Sequence, residues 1–154
     1  MSRAFVKEMD GKAGDDLPEL ALSPHRNLVT PSGLEHIEST LHDLETELAG
    51  ARTADDAALV ARIERDLRYF RQRKSTAEVV PVSGPAGRVR FGRRVRLETG
   101  AGELVEFRIV GEDESDPSRG LISYVSPLAE SLMGCSVGDR LPYRGGEAEI
   151  VAID

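Results

Sequence analysis

Two groups of residues in this 154-residue chain have the chemistry to act on something beyond it. The adjacent carboxylates Asp55 and Asp56 stand between two apolar, helix-periodic stretches, and arginines follow at Arg62, Arg65, Arg68 and Arg71. Such arginines can contact RNA or an acidic protein surface through charge-assisted hydrogen bonds. Their plainer reading is a solvated helix face paired with an acidic neighbouring helix, from which Glu38 and Glu45 can face them. Asp55 and Asp56 also have a plain role, since carboxylates in a first helical turn favour the macrodipole and cap free N–H groups. Metal and thiol chemistry have less to work with. Cys135 is the single cysteine, and His25, His36 and His42 have neither Cys neighbours nor HExxH spacing. The expectation is no metal site and no cofactor.

Composition narrows the classes further. With 40% hydrophobic, 31% charged and 5% aromatic residues, the chain reads as globular with a thin aromatic core. A net charge of −7 argues against general DNA binding, which needs a broad basic footprint. Met1–Asp10 is too charged for a signal peptide, and no apolar run approaches the ~18 residues of a membrane span. A soluble, cytoplasmic protein with no membrane partner is expected.

The elements that must position these residues follow from periodicity. Gly11, Gly14, Pro18 and Pro24 break any pattern in residues 1–29, which read as a mostly flexible tail. Thr30 is a good N-cap and Pro31 fits the first helical position. Leu34, Ile37, Leu41, Leu44 and Leu48 then form a heptad seam, with Gly50 as its expected end. Thr53 is the expected cap of a second seam, Val60, Ile63, Leu67 and Phe70. Joined by about five residues, the two seams predict an antiparallel helical hairpin, a short coiled coil over residues 30–77. An 18-residue helix would give an arm of roughly 27 Å. From Val79 the period becomes 2. Strand-like runs, the acidic loop Gly111 to Gly120, a short helix opened by Ser126–Pro127 and a Gly145–Gly146 turn predict an antiparallel sheet with one short helix over residues 78–154. The fold class expected is α+β.

At this point the residues resemble a family. Arg88-Val-Arg-Phe-Gly92, Phe107-Arg-Ile-Val-Gly-Glu-Asp-Glu114, Leu121-Ile-Ser123, Ser126-Pro-Leu-Ala129, Leu132-Met-Gly134 and Val137-Gly-Asp139 resemble, in order and spacing, the bacterial Gre transcript-cleavage factors. Leu28-Val-Thr-Pro-Ser-Gly33 resembles the entry to their first helix. The resemblance implies an N-terminal coiled coil and an FKBP-like C-terminal domain. It implies bacterial RNA polymerase as partner, docked at its secondary-channel rim through Ser126, Pro127, Leu128 and Ala129, with nucleic acid met only indirectly. In the family, acidic residues at the arm's tip help hold a catalytic Mg²⁺ with which the polymerase cleaves backtracked RNA.

Two departures shape the expected function. The tip reads Ala51-Arg-Thr-Ala-Asp-Asp-Ala-Ala58, with no Glu or Asn three or four residues after Asp55, and the hairpin is shorter than a full Gre arm. A shortened arm also characterises the Rnk-like nucleoside-diphosphate-kinase-regulator branch. The expectation is an elongation regulator that binds the polymerase without stimulating cleavage, and no enzyme. The alternative is a cleavage factor using Asp55 and Asp56. A remote third is a prolyl isomerase, disfavoured because such activity needs an aromatic-lined pocket and the domain has only Phe91, Phe107, Tyr124 and Tyr143 for one.

Overall fold

Thr30 begins the first helix as its side chain predicts. In this computed structural model, which describes residues 17–154, α1 spans Pro31–Thr53 and the Thr30 hydroxyl accepts from the Gly33 N–H at 3.0 Å. The second helix, α2, spans Ala57–Thr76. Ion pairs Arg52–Glu64 near the tip and Lys74–Glu38 near the base show that the two run antiparallel. Ile37, Ile63 and Leu67 are fully buried in the hairpin, and Leu41, Leu44, Leu48, Leu59 and Val60 are half-buried. The seam residues thus pack as their spacing requires.

The tip differs from expectation. Helix α1 does not end at Gly50 but continues one turn, because Ala51 extends the seam and is buried at 3% exposure while Gly50 lies on the exposed side. Three residues, Ala54 to Asp56, join the helices, and the cap of α2 is Asp56 rather than Thr53: its carboxylate accepts from the Leu59 N–H at 3.1 Å. At 1.5 Å per residue, the 23 residues of α1 make an arm of about 34 Å.

The C-terminal part is α+β, as expected. Strands β3 (Arg94–Thr99), β4 (Leu104–Val110), β5 (Leu121–Ser123), β6 (Arg140–Tyr143) and β7 (Gly146–Ile153) form one curled sheet in the order β5-β4-β3-β7-β6, with α3 (Pro127–Leu132) packed on it. The sheet is mixed rather than wholly antiparallel. β5 pairs parallel to β4 because the chain between them passes through two 3₁₀ turns, Glu112–Glu114 and Pro117–Arg119, instead of a hairpin. Val95, Leu97, Ile109, Ile150, Ala129 and Leu132 fill the core between sheet and helix.

The tail expectation falls partly outside the described residues, which begin at 17; from there residues 17 to 26 are mostly exposed, with side-chain contacts at Glu19, Ser23 and Arg26, and Asn27 to Val29 join the fold. Leu28–Val29 forms β1, paired parallel with β2 (Glu78–Val79), so the entry to α1 and the exit from α2 are stitched together. Asn27 donates to the Arg73 carbonyl at 2.7 Å, and Ser23 donates to Glu112 at 2.9 Å.

The acidic loop beginning at Gly111 also turns inward. Asp113 accepts from Arg73 at 2.5 Å and from the Tyr69 hydroxyl at 2.6 Å, and Glu112 lies 3.7 Å from the same guanidinium. The Arg73 and Asp113 side chains are only 4% and 9% exposed. Glu114 accepts from the backbone N–H groups of Thr30 and Gly111 and from the Thr30 hydroxyl. Gly33 is what admits it: a Cβ there would collide with the Glu114 carboxyl. These contacts weld the base of the hairpin to the sheet domain.

Two outcomes follow for this junction. Arg73→Ala leaves two carboxylates buried against lost charge and lowers stability by about 3–5 kcal/mol in urea denaturation, whereas the Arg73→Ala/Asp113→Ala double variant loses less than the single one. Burial, followed by the hydrogen bond to Asp113, pushes the Tyr69 phenol up to about 12 from 10.0. The fold disfavours the phenolate, so the stabilisation is intact below pH 10 and is lost as pH rises toward 12. Ultraviolet difference titration of wild type and Tyr69→Phe checks this: the variant lacks a late phenolate phase and loses less stability across that window.

Candidate functional site

The stretch Ser126 to Ala129 does two jobs that its residues divide between them. Ser126 caps α3, accepting from the Ala129 N–H at 3.3 Å, and Pro127 takes the first helical position. Ala129 is fully buried, so its side chain meets the core and no partner. Pro127 and Leu128 instead line an apolar groove of about 600 Å³, together with Phe107, Ile122, Pro142, Tyr143 and Arg144. Phe107 and Tyr143 meet edge to face at 6.1 Å, and the Arg144 guanidinium sits 5.2 Å from the centre of the Tyr143 ring. The positive φ of Arg144 (46°) and Gly145 (77°) makes the tight turn that places this pair at the groove's rim. The sequence reading named Phe107 and Tyr143 only among the few aromatics available for an isomerase pocket, and assigned neither them nor Pro142 to a docking groove. Alternation places Phe107 on the covered face of β4, but only the sheet's curl shows that α3 leaves it half-covered.

At the tip the two carboxylates are not equivalent. Asp56 is committed to its cap. Asp55, held at a left-handed φ of 53°, is exposed; its backbone N–H donates to the Arg52 carbonyl at 3.2 Å, and its carboxylate makes no hydrogen bond or ion pair among the described residues. Across the hairpin, Arg52 and Glu64 pair at 3.0 Å and brace the loop. Among the described residues no three His, Cys, Asp or Glu side chains are grouped to hold a metal.

The arginines do not form one uncompensated surface. Arg65 pairs with Asp66 at 2.7 Å, Arg68 with Glu19 at 2.5 Å and Arg71 with Glu45 at 3.5 Å. Only Arg62 of the four makes no ion pair among the described residues. The Glu45 and Glu38 partners come from α1, as the acidic first helix suggests, but Glu19 comes from the segment read as tail. Its hydrogen bond to Arg68 holds the Glu19 carboxyl below the ordinary range. Tyr124 is another contact of that segment: its hydroxyl donates to the Arg26 carbonyl, and burial raises its pKa.

Comparison with known proteins now adds what geometry cannot. Residues 84–154 match the family model described as transcription elongation factor, GreA/GreB, C-terminal. Transcription elongation factor GreB of Xanthomonas axonopodis pv. citri is 36% identical over an alignment of 133 residues that covers 73% of this chain and 79% of that protein. GreA of an Anaeromyxobacter strain is 48% identical over 79 residues, about half of each chain. The crystal structure of GreA factor homolog 1 from Thermus thermophilus superposes with a TM-score of 0.41 at 23% identity, covering 84% of this chain and 99% of that one. Among the described residues no helix is long and apolar enough to cross a membrane.

These relatives correct one expectation. The expectation that the chain takes no enzyme-type part does not stand beside relatives that are transcription elongation factors GreA and GreB. A relative matched over four fifths of its length and a family model spanning the whole five-stranded sheet lead to one conclusion: the chain belongs to the GreA/GreB family of transcription elongation factors.

Proposed function

We propose that this chain docks on bacterial RNA polymerase through the groove beside α3 and points the hairpin into the secondary channel. In this reading residues 78–154 are the docking module and residues 30–77 the arm. The observation that carries it is the groove itself. Leu128, Phe107 and Tyr143 present an open apolar surface within the segment that matches the family model, and partly exposed aromatic and aliphatic anchors are what protein interfaces use. A factor seated there occupies a site that longer-armed family members also need.

The arm sets how much help it gives to chemistry. As sole holder of Mg²⁺ the tip does not fit, because Asp56 is spent on its cap and, among the described residues, no group of three His, Cys, Asp or Glu forms around Asp55. As one carboxylate added to ligands supplied by the polymerase, Asp55 fits the hard-oxygen preference of that ion. Bound there, Mg²⁺ would activate water for phosphodiester hydrolysis. One free carboxylate on an arm of about 34 Å supports a weaker stimulation of cleavage than an arm with two. Of the four arginines along α2, Arg62 is the one without an ion pair among the described residues, and so the one open to RNA or to an acidic channel wall without first breaking such a pair. A cytoplasmic location follows from the partner.

Purified core polymerase tests this reading, with binding and transcript cleavage measured on the same backtracked complex. Leu128→Glu is expected to weaken binding about tenfold or more, the usual effect of spoiling a central interface anchor. Asp55→Ala is expected to leave binding intact and remove a small cleavage stimulation. Absence of a complex with wild-type protein would refute the docking assignment.

A further inference from the structure

A second concavity, of about 510 Å³, lies where the first turns of α1 meet the face of β3 and β4. Ser32 and His36 line it from α1, Arg94 and Arg108 from the sheet, and Arg119 from the 3₁₀ turn before β5. Three arginines from three strands or turns converge there, and none of them makes an ion pair among the described residues.

Their arrangement is costly in isolation. Arg94 and Arg108 stand directly opposite one another on the antiparallel pair β3–β4. Like charges in that register destabilise a sheet. The two carboxylates lining the cleft are engaged elsewhere: Glu106 holds Arg96 at 3.2 Å, and Glu114 is bound by Thr30 and Gly111. Asp154 meets Arg94 through backbone hydrogen bonds. Arg108 is also aimed, since its Nε donates to the Gly92 carbonyl at 3.1 Å and its terminal nitrogens make no hydrogen bond among the described residues. Arg119 is brought close by Gly120, whose φ is 72° and where a Cβ would meet the Glu106 carbonyl at 2.6 Å.

We infer that this cleft binds an oligophosphate, as free pyrophosphate or as the phosphate chain of a nucleotide. Planar guanidinium forks match phosphate oxygens two at a time, and a concave site of this size suits a compact multivalent anion. Three short-range cations converging in one hollow favour such an anion over an extended nucleic-acid strand, which would need a groove that runs on. Ser32 and His36 add hydroxyl and imidazole from the arm, so the ligand would tie α1 to the sheet across the cleft. None of this depends on the polymerase reading.

Calorimetric titration of the full chain with sodium pyrophosphate at fixed ionic strength tests the assignment, with GTP, sulfate and a short single-stranded RNA in parallel. Saturable one-to-one binding of pyrophosphate is expected. Arg94→Ala and Arg119→Ala should each weaken it about tenfold, the scale of a charge-assisted hydrogen bond, while Arg90→Ala outside the cleft leaves it unchanged. Arg94→Ala also relieves the repulsion with Arg108, so its melting temperature should equal or exceed that of wild type, which separates lost binding from lost folding. GTP binding as tightly as pyrophosphate makes the nucleotide the source of the phosphates, and GTP failing to bind makes it free pyrophosphate. No saturable heat, equal affinity for sulfate, preference for RNA, or undiminished affinity in the Arg94→Ala/Arg119→Ala double variant would overturn the assignment.

Discussion

The buried Arg73 guanidinium is the constraint on which the architecture turns. Removed from water, it must find carboxylates of good geometry, and Asp113 and Glu112 supply them from the loop after β4. That requirement fixes the last turns of α2 against the sheet domain. Tyr69, one turn earlier on the same helix face, adds a hydrogen bond to the same Asp113 carboxylate. Because both lie on α2 within a turn of each other, the loop is pinned at two points and the helix is held against rotation as well as translation.

The neighbouring Glu114 does for α1 what Asp113 does for α2. Its carboxylate accepts from the Thr30 N–H and hydroxyl at the start of α1, where the helix dipole also favours negative charge, and from the Gly111 N–H of its own loop. Three consecutive acids, Glu112 to Glu114, thus anchor both helices of the arm from one 3₁₀ turn. This matters because two antiparallel helices with so small a shared core are marginal alone. The arm is rigid where it leaves the domain, and its tip is steadied by the Asp56 cap and the Arg52–Glu64 pair.

The sequence revealed what periodicity and capping encode locally. Thr30–Pro31, the seams from Ile37 to Leu67, and Ser126–Pro127 were legible because each acts within a turn or two of itself. The family motifs likewise led to the groove beside α3, though only Pro127 and Leu128 of the four motif residues line it. What stayed hidden depends on pairings distant in the chain. Acids 112–114 look like solvated loop residues until Arg73 and Thr30, some 40 and 84 positions away, are seen to need them. Gly50 looked like a stop because its own propensity says so, yet burial of Ala51 against α2 outweighs the roughly 1 kcal/mol that glycine costs a helix.

The segment before β1 shows how a short arm can be supported without a longer seam. From Ser23, bonded to Glu112 at the base, the chain reaches Glu19 against Arg68 on α2. It therefore runs up the outside of the hairpin, away from the sheet domain. Lengthening a seam would add apolar burial at the far end, where the helices fray. A segment laid along α2 instead adds contacts to the lower half. The exposed Glu19–Arg68 pair contributes little as an ion pair in water. Its effect is on charge: it pairs one arginine of the α2 face, so that of the four arginines there Arg62, nearer the tip, is the one without an ion pair among the described residues.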